Sequence, residues 1–155
     1  MSRIYTAQFN GVAVTAQQDL FEIVAPSTGV VLIHELGLSQ LTEIKDAEEE
    51  MLLILLKSGQ TTTGSGGSAP TKVPRLFGDA AASATVAANN TTKATAGTIV
   101  THYNWHWNVR VPFQMIWTPE TRPVLSPSRR GTVELATTPA DSVTVGGYIV
   151  WEAIG

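Results

Sequence analysis

The sequence predicts an all-β fold: a single-domain β-sandwich or jelly-roll-like barrel with one long extended loop. Short segments of alternating apolar and polar residues recur along the chain, and turn residues separate them. Charged residues make up only 15% of the 155 residues, whereas Ala, Thr, Gly and Val are abundant. This composition suits strands and close packing better than solvated helices. We therefore predict one β domain over residues 1–155, with roughly eight to ten strands.

The first strands are predicted from alternation and from turn residues. In the segment 3–15, the pair Asn10–Gly11 predicts a hairpin, because both residues tolerate positive φ. A second strand ends at a Pro-Ser-Thr-Gly turn over residues 26–29. The third strand has one face that we predict to lie in the core, so His34 is expected to be a packed, hydrogen-bonded residue and not a ligand. That face consists of Val30, Leu32, His34, Leu36 and Leu38.

Residues 43–57 allow two interpretations. Helix-forming charged residues at the start permit a helix over the whole segment. We prefer a polar turn around Asp46 followed by a strand over 51–57, because MLLILLK is apolar on both faces and suits a central strand. The acidic run Glu48–Glu50 has no spaced partner ligand, so we predict a solvated turn there and no metal site.

The alternating pattern stops between residues 60 and 78, where we predict the long loop. The segment GSGGSAPTKVP lacks the Gly-Lys-Ser/Thr ending of a phosphate-binding loop, and Pro70 and Pro74 favour extended backbone over a helix. A linker between domains is also unsuitable, because the short stretch before it ends in a strand without a complete sheet. We predict a flexible turn followed by a stiff arm at about 60–78, which lies on its own sheet or on a neighbouring subunit.

Strand patterns return over residues 98–109, 113–117, 131–137 and 141–155. In the first of these, Trp105 and Trp107 share one face, opposite two histidines and an asparagine. We interpret the tryptophan face as core; the alternative is an exposed aromatic platform for a sugar or a protein. His102 and His106 have no nearby acid or cysteine to complete a metal site, and His34 is the only other histidine, so we expect no metal.

Several classes of function are disfavoured by composition. The chain has no cysteine and no Gly-x-Ser-x-Gly motif, so we expect no enzyme and no cofactor. Paired carboxylates for glycoside hydrolysis are not evident either, because the acids Glu120, Glu134, Asp141 and Glu152 are isolated from one another. A formal charge of -3 disfavours nucleic acid as a partner. The longest apolar run, 51–56, is too short to cross a membrane, and no signal peptide is evident. We therefore expect a protein made in a cytoplasm, with neither nucleic acid nor a membrane as partner.

Four segments together resemble a known group: GSGGSAPT, the Ala/Thr-rich stretch that ends in NNTT, YNWHWNV, and the closing PADSVTVGGYIVWEAIG. They are similar to small virion structural proteins of tailed bacteriophages. The resemblance implies a non-enzymatic capsid decoration or cement protein in the virion, which forms a homo-oligomer, typically a trimer, and binds the major capsid protein. The alternative is a tail-associated or carbohydrate-binding module that uses an exposed tryptophan face. The candidate interface residues are Lys72, Val73, Arg75, Leu76, Phe77, Tyr103, Trp105 and Trp107.

Overall fold

The computed structural model describes residues 2–42 and 50–155. These residues form strands and loops, and none of them forms a helix that could cross a bilayer. The strands are β1 (Arg3–Val14), β2 (Gln18–Val24), β3 (Val30–Gln40), β4 (Met51–Ser58), β5 (Val73–Pro74), β6 (Thr85–Asn90), β7 (Val100–Asn108), β8 (Phe113–Ile116), β9 (Val124–Leu125), β10 (Arg130–Leu135) and β11 (Val143–Ile154).

The strands form two antiparallel sheets. The first has the order β5-β1-β11-β3-β8, with β9 also beside β3, and the second has the order β6-β2-β10-β4-β7. The pairings are nested: β1 with β11, β2 with β10, β3 with β8, and β4 with β7. The chain thus follows a long hairpin that is wrapped into two sheets, which is the path of a jelly roll. Among the described residues the two sheets do not close into a barrel, and the predicted all-β sandwich with a jelly-roll-like path is confirmed.

Apolar side chains from both sheets meet in one core. Trp151 and Phe21 are the largest of the fully buried residues, and Tyr5 stacks on Trp151 with ring centroids 5.8 Å apart. The predicted strand at 51–57 is confirmed as β4, which lies between β10 and β7. That central position explains its apolar sequence. The alternatives for residues 43–49, including Glu48 and Glu49 of the acidic run, lie outside the described residues.

The predicted hairpin at Asn10–Gly11 is wrong. Strand β1 continues through this pair along β11, where Phe9 pairs with Gly147 and Val12 pairs with Val145. Two residues of β1 therefore oppose one residue of β11, which is a β-bulge, and Gly11 has a φ of 70°. The same tolerance of positive φ that favours a turn also serves a bulge, and the long pairing with β11 decides between them.

A second bulge corrects the predicted core face of β3. Val150 pairs with Glu35 and Trp151 pairs with Ile33, so His34 is the extra residue. The bulge exchanges the two faces of the strand: Val31 and Ile33 are buried before it, and Leu36 and Leu38 are buried after it. His34 is therefore outside the core, although it is hydrogen-bonded as expected, with its Nε2 2.8 Å from Oε2 of Glu152.

Candidate functional site

The first part of the predicted loop covers the outer face of the second sheet. Residues 60–68 run antiparallel to residues 88–95, with bridges that join Thr62 to Thr95, Ser65 to Thr92 and Ser68 to Ala88. A Cβ on Gly67 would lie 2.2 Å from the carbonyl oxygen of Ala88. The glycine-rich segment thus allows close contact between two backbones, a role that neither a phosphate-binding loop nor a linker would require. The predicted flexibility of 60–78 stays a prediction.

Beneath this cover lies Glu22, a carboxylate that is only 2% exposed. It faces away from the core, because its neighbours Phe21 and Ile23 both point inward. Glu22 accepts hydrogen bonds from Nε of Arg130, from Nδ2 of Asn90 at 2.7 Å and from the backbone N–H of Gly64 at 3.0 Å. All of these contacts are internal, so they tie the loop to the sheet and leave no free carboxylate for chemistry.

Two further acids are buried on this sheet. Glu134 is bonded to Lys57 and Lys93. Desolvation works to raise the pKa of Glu134, but the hydrogen bonds from both lysines outweigh it and hold that pKa below its usual range. Asp19 accepts a hydrogen bond from the backbone N–H of Ala94 at 2.7 Å, yet burial raises its pKa from 3.8 to about 6. Sequence reasoning missed this charged cluster, because Glu134 and the cationic partners of the acids are far along the chain from Asp19 and Glu22.

The second part of the loop bears five predicted interface residues. Strand β5 pairs with β1, and the N–H of Arg75 donates to the carbonyl of Ile4 at 2.8 Å. The ammonium of Lys72 donates to two backbone carbonyls of its own chain, at 3.0 and 2.8 Å, so this group is already engaged. Arg75 is exposed, and so are the three apolar side chains of the segment. Their exposed fractions are 51% for Val73, 69% for Leu76 and 102% for Phe77.

The aromatic side chains of the strand β7 lie in the core or pack against it. Trp107 is 2% exposed, and its Nε1 donates to the carbonyl of Val111 at 2.8 Å, so it belongs to the interior and not to an exposed platform. Tyr103 and Trp105 are half-buried and stack on each other with centroids 5.8 Å apart. Trp105 also meets the edge of the Trp117 ring at 6.1 Å. The core interpretation is confirmed for Trp107. The alternative, an exposed tryptophan platform, therefore cannot include this residue.

The described residues show little that supports catalysis. Ser58 Oγ lies 2.7 Å from Nε2 of His102, but no carboxylate of the described residues bonds this exposed imidazole to orient it. Within the same part of the chain, no group of three or more His, Asp or Glu residues could hold a metal ion.

Sequence reasoning also missed a groove on the outer face of the first sheet. Tyr148 lies beside it, and its hydroxyl is bonded to Glu35 and Gln114. Burial, and then the hydrogen bond to Glu35, raise the pKa of the Tyr148 phenol. The only signal in the sequence is glycine inside predicted strands, at Gly37 and at Gly146–Gly147, since strand glycines often mark close approach or missing side-chain bulk.

Comparison with known proteins adds no family. No protein-family model matches the chain, and no curated protein matches it at a significant level. Among solved structures, it aligns with a chain described as "Crystal structure of the T13 IBDV viral particle reveals a missing link in icosahedral viruses evolution". The identity is 13% and the TM-score is 0.16, and the alignment covers 99% of this chain and 39% of that chain. So low a TM-score carries no argument about fold or function.

Proposed function

We propose that this chain is a non-enzymatic structural protein of a tailed-phage virion, a capsid decoration or cement protein that acts as a symmetric homo-oligomer, most simply a trimer. The observation that carries the proposal is the apolar tip, which we define as Leu76 and Phe77. These two adjacent side chains are exposed at the end of a segment that is anchored on both sides. Exposed adjacent apolar residues on an anchored segment are typical of a contact surface.

The anchoring favours association. Pairing of β5 with β1 holds the residues before the tip, and after it the hydroxyl of Tyr5 in β1 donates to the carbonyl of Ala80 at 3.0 Å. A segment held in this way loses little conformational entropy when a partner covers it. Burial of one Phe or Leu side chain is worth about 1.5–3 kcal/mol, so each copy of the tip adds materially to an assembly.

The first test is the composition of purified particles of the phage that encodes the chain. A cement protein is present in a copy number comparable to that of the major shell subunit, and removing it lowers the temperature at which particles break open. Absence from virions, or presence in only a few copies, contradicts the proposal.

The second test uses the double variant L76S/F77S. We expect it to lose at least about tenfold in affinity for particles stripped of the protein, because two apolar contacts are removed. Light scattering shows whether self-association is lost as well. The matched control is Val111→Ser, an exposed apolar residue elsewhere on the surface, 60% exposed. Equal binding by wild type, L76S/F77S and V111S shows that the tip is not the contact.

A further inference from the structure

The groove beside Tyr148 has the form of a small-molecule site. It lies on the outer face of the first sheet, because Ile149 and Trp151 alternate with Tyr148 and point into the core. Its volume is about 670 Å³, which is within the range of ligand sites in proteins. Strands β1, β3, β8 and β11 supply its lining except for Pro112, which directly precedes β8, so the site rests on a continuous sheet.

Tyr148 is held in one orientation. A Cβ on Gly37 would lie only 2.1 to 2.8 Å from three atoms of the Tyr148 ring, so the ring lies across the place where any other residue would put its side chain. The phenol oxygen donates to Glu35 and accepts from Nε2 of Gln114 at 2.9 Å. The glycine and these two hydrogen bonds together fix an aromatic surface at the wall of the groove.

The polar groups of the groove are available to a ligand. Gly146 has no side chain to fill the floor; a Cβ there would lie 3.3 Å from Oδ1 of Asn10 and 3.6 Å from Oγ of Ser39. Gln8 also lines the groove. Within the described residues, none of the side chains of Gln8, Asn10 and Ser39 has a hydrogen-bond partner, so their amide and hydroxyl groups can bond to something that enters.

The lining selects the chemical class of the ligand. None of the residues that form it is charged, so neither an anion nor a cation finds a counterion there. The carboxylate of Glu35, which is not among the lining residues, already accepts from Tyr148 and Gln114. A fixed aromatic surface beside neutral donors and acceptors matches the apolar C–H face and the hydroxyl rim of a pyranose ring. We propose that this groove binds a neutral saccharide, with Tyr148 stacked on the sugar and Gln8, Asn10 and Ser39 bonded to its hydroxyls. The inference does not depend on the assembly function.

The test is a titration of the isotope-labelled full chain with glucose, galactose, mannose, rhamnose and N-acetylglucosamine. Binding is detected by changes in the amide chemical shifts in NMR. We expect at least one sugar to shift the amides around Gly37 and Gly146 in a saturable manner. Tyr148→Ala weakens that binding by about tenfold, whereas Tyr148→Phe, which keeps the ring, weakens it less. L76S/F77S binds the sugar like the wild type, so this outcome is separate from that of the assembly test.

Gly146→Val provides an independent variant, because it fills the floor of the groove and leaves Tyr148 in place. Its fold is checked by circular dichroism, and we expect it to bind at least about tenfold more weakly than wild type. The proposal is overturned if no sugar shifts the groove amides, if the shifts map to β7 instead, or if glucuronate binds more tightly than the neutral sugars. Wild-type affinity in folded G146V also overturns it.

Discussion

Three carboxylates lie buried on the outer face of the second sheet, and their partners differ. Glu22 and Glu134 are paired with cations, whereas Asp19 is held chiefly by a backbone N–H. Burial of a charge is unfavourable unless hydrogen bonds and opposite charges replace the lost water. The three residues should therefore respond differently to substitution.

Glu22→Gln should destabilise the protein by about 2–4 kcal/mol, because it leaves the guanidinium of Arg130 without its buried counterion. The measurement is urea unfolding at neutral pH, monitored by tryptophan fluorescence. Glu120→Gln is the matched control, since this carboxylate is fully exposed and forms no ion pair with a described residue. Equal stability of both variants and the wild type would show that the Glu22–Arg130 pair does not hold residues 60–68 on the sheet.

Asp19→Asn should stabilise the protein at neutral pH. The folded chain keeps the Asp19 proton up to about pH 6, whereas the unfolded chain releases it near the ordinary pKa of 3.8. Between these values the contribution of Asp19 to the free energy of unfolding falls as pH rises, and the loss is complete above the folded pKa. We expect D19N to be about 1–2 kcal/mol more stable than wild type at pH 7, with a difference near zero at pH 4. Urea unfolding of both proteins at the two pH values tests this; a difference that does not change with pH contradicts it.

At the scale of elements, the position of the glycine-rich ribbon 60–68 in the fold is what the sequence predicted least well. Of the stiff extended arm that the prolines predict after this ribbon, only Val73–Pro74 forms a strand, β5, and residues 75–78 form a bend and a turn. The site at which the ribbon lies was not predictable, because its partners in 88–95 and at Glu22 are brought near only by the pairing of β2 with β6.

Gly67→Ala should cost about 1–3 kcal/mol, because the new methyl group would meet backbone atoms that cannot move away without shifting β6. The backbone of Gly67 has no positive φ, so a loss of stability in G67A would come from steric contact of the methyl group and not from backbone strain. Thermal or urea unfolding measures the loss, and faster cleavage within 60–68 by a protease measures release of the ribbon. Ser65→Ala, an exposed side chain in the same ribbon, should change stability by less than about 0.5 kcal/mol. A G67A variant as stable and as protease-resistant as S65A would mean that the ribbon does not need close contact.

The two bulges show a further limit of element prediction. Alternation located both β1 and β3, but it could not show that β1 has two residues opposite one at Asn10–Gly11 or that β3 has an extra residue at His34. A bulge shifts the inward face by one residue, and its position depends on the partner strand β11. The position of His34 outside the core and the floor of the groove at Gly146 both follow from these local irregularities.

At the scale of the whole molecule, the jelly-roll path joins distant parts of the chain. Arg3 pairs with Ala153, and both sheets share one core. No part of the chain can complete a sheet alone, so we expect the protein to unfold in one cooperative step. Tryptophan fluorescence and far-ultraviolet circular dichroism should therefore give the same urea midpoint, at concentrations low enough to keep subunits apart. Two separate transitions would contradict a single domain over the chain.

The sequence by itself determined the class of fold, the main strands and the absence of a recognisable catalytic motif. These follow from local patterns, because the period of two and the turn residues depend on near neighbours. Only the tertiary structure decided that Trp107 is enclosed, that the glycine-rich segment covers buried acids, and that Leu76 and Phe77 stand exposed. It also placed Tyr148 against Gly37, from strands more than a hundred residues apart along the chain. Burial, ion pairs and grooves each depend on segments that meet only in the folded protein. The local sequence of one segment does not show which distant segment it will contact.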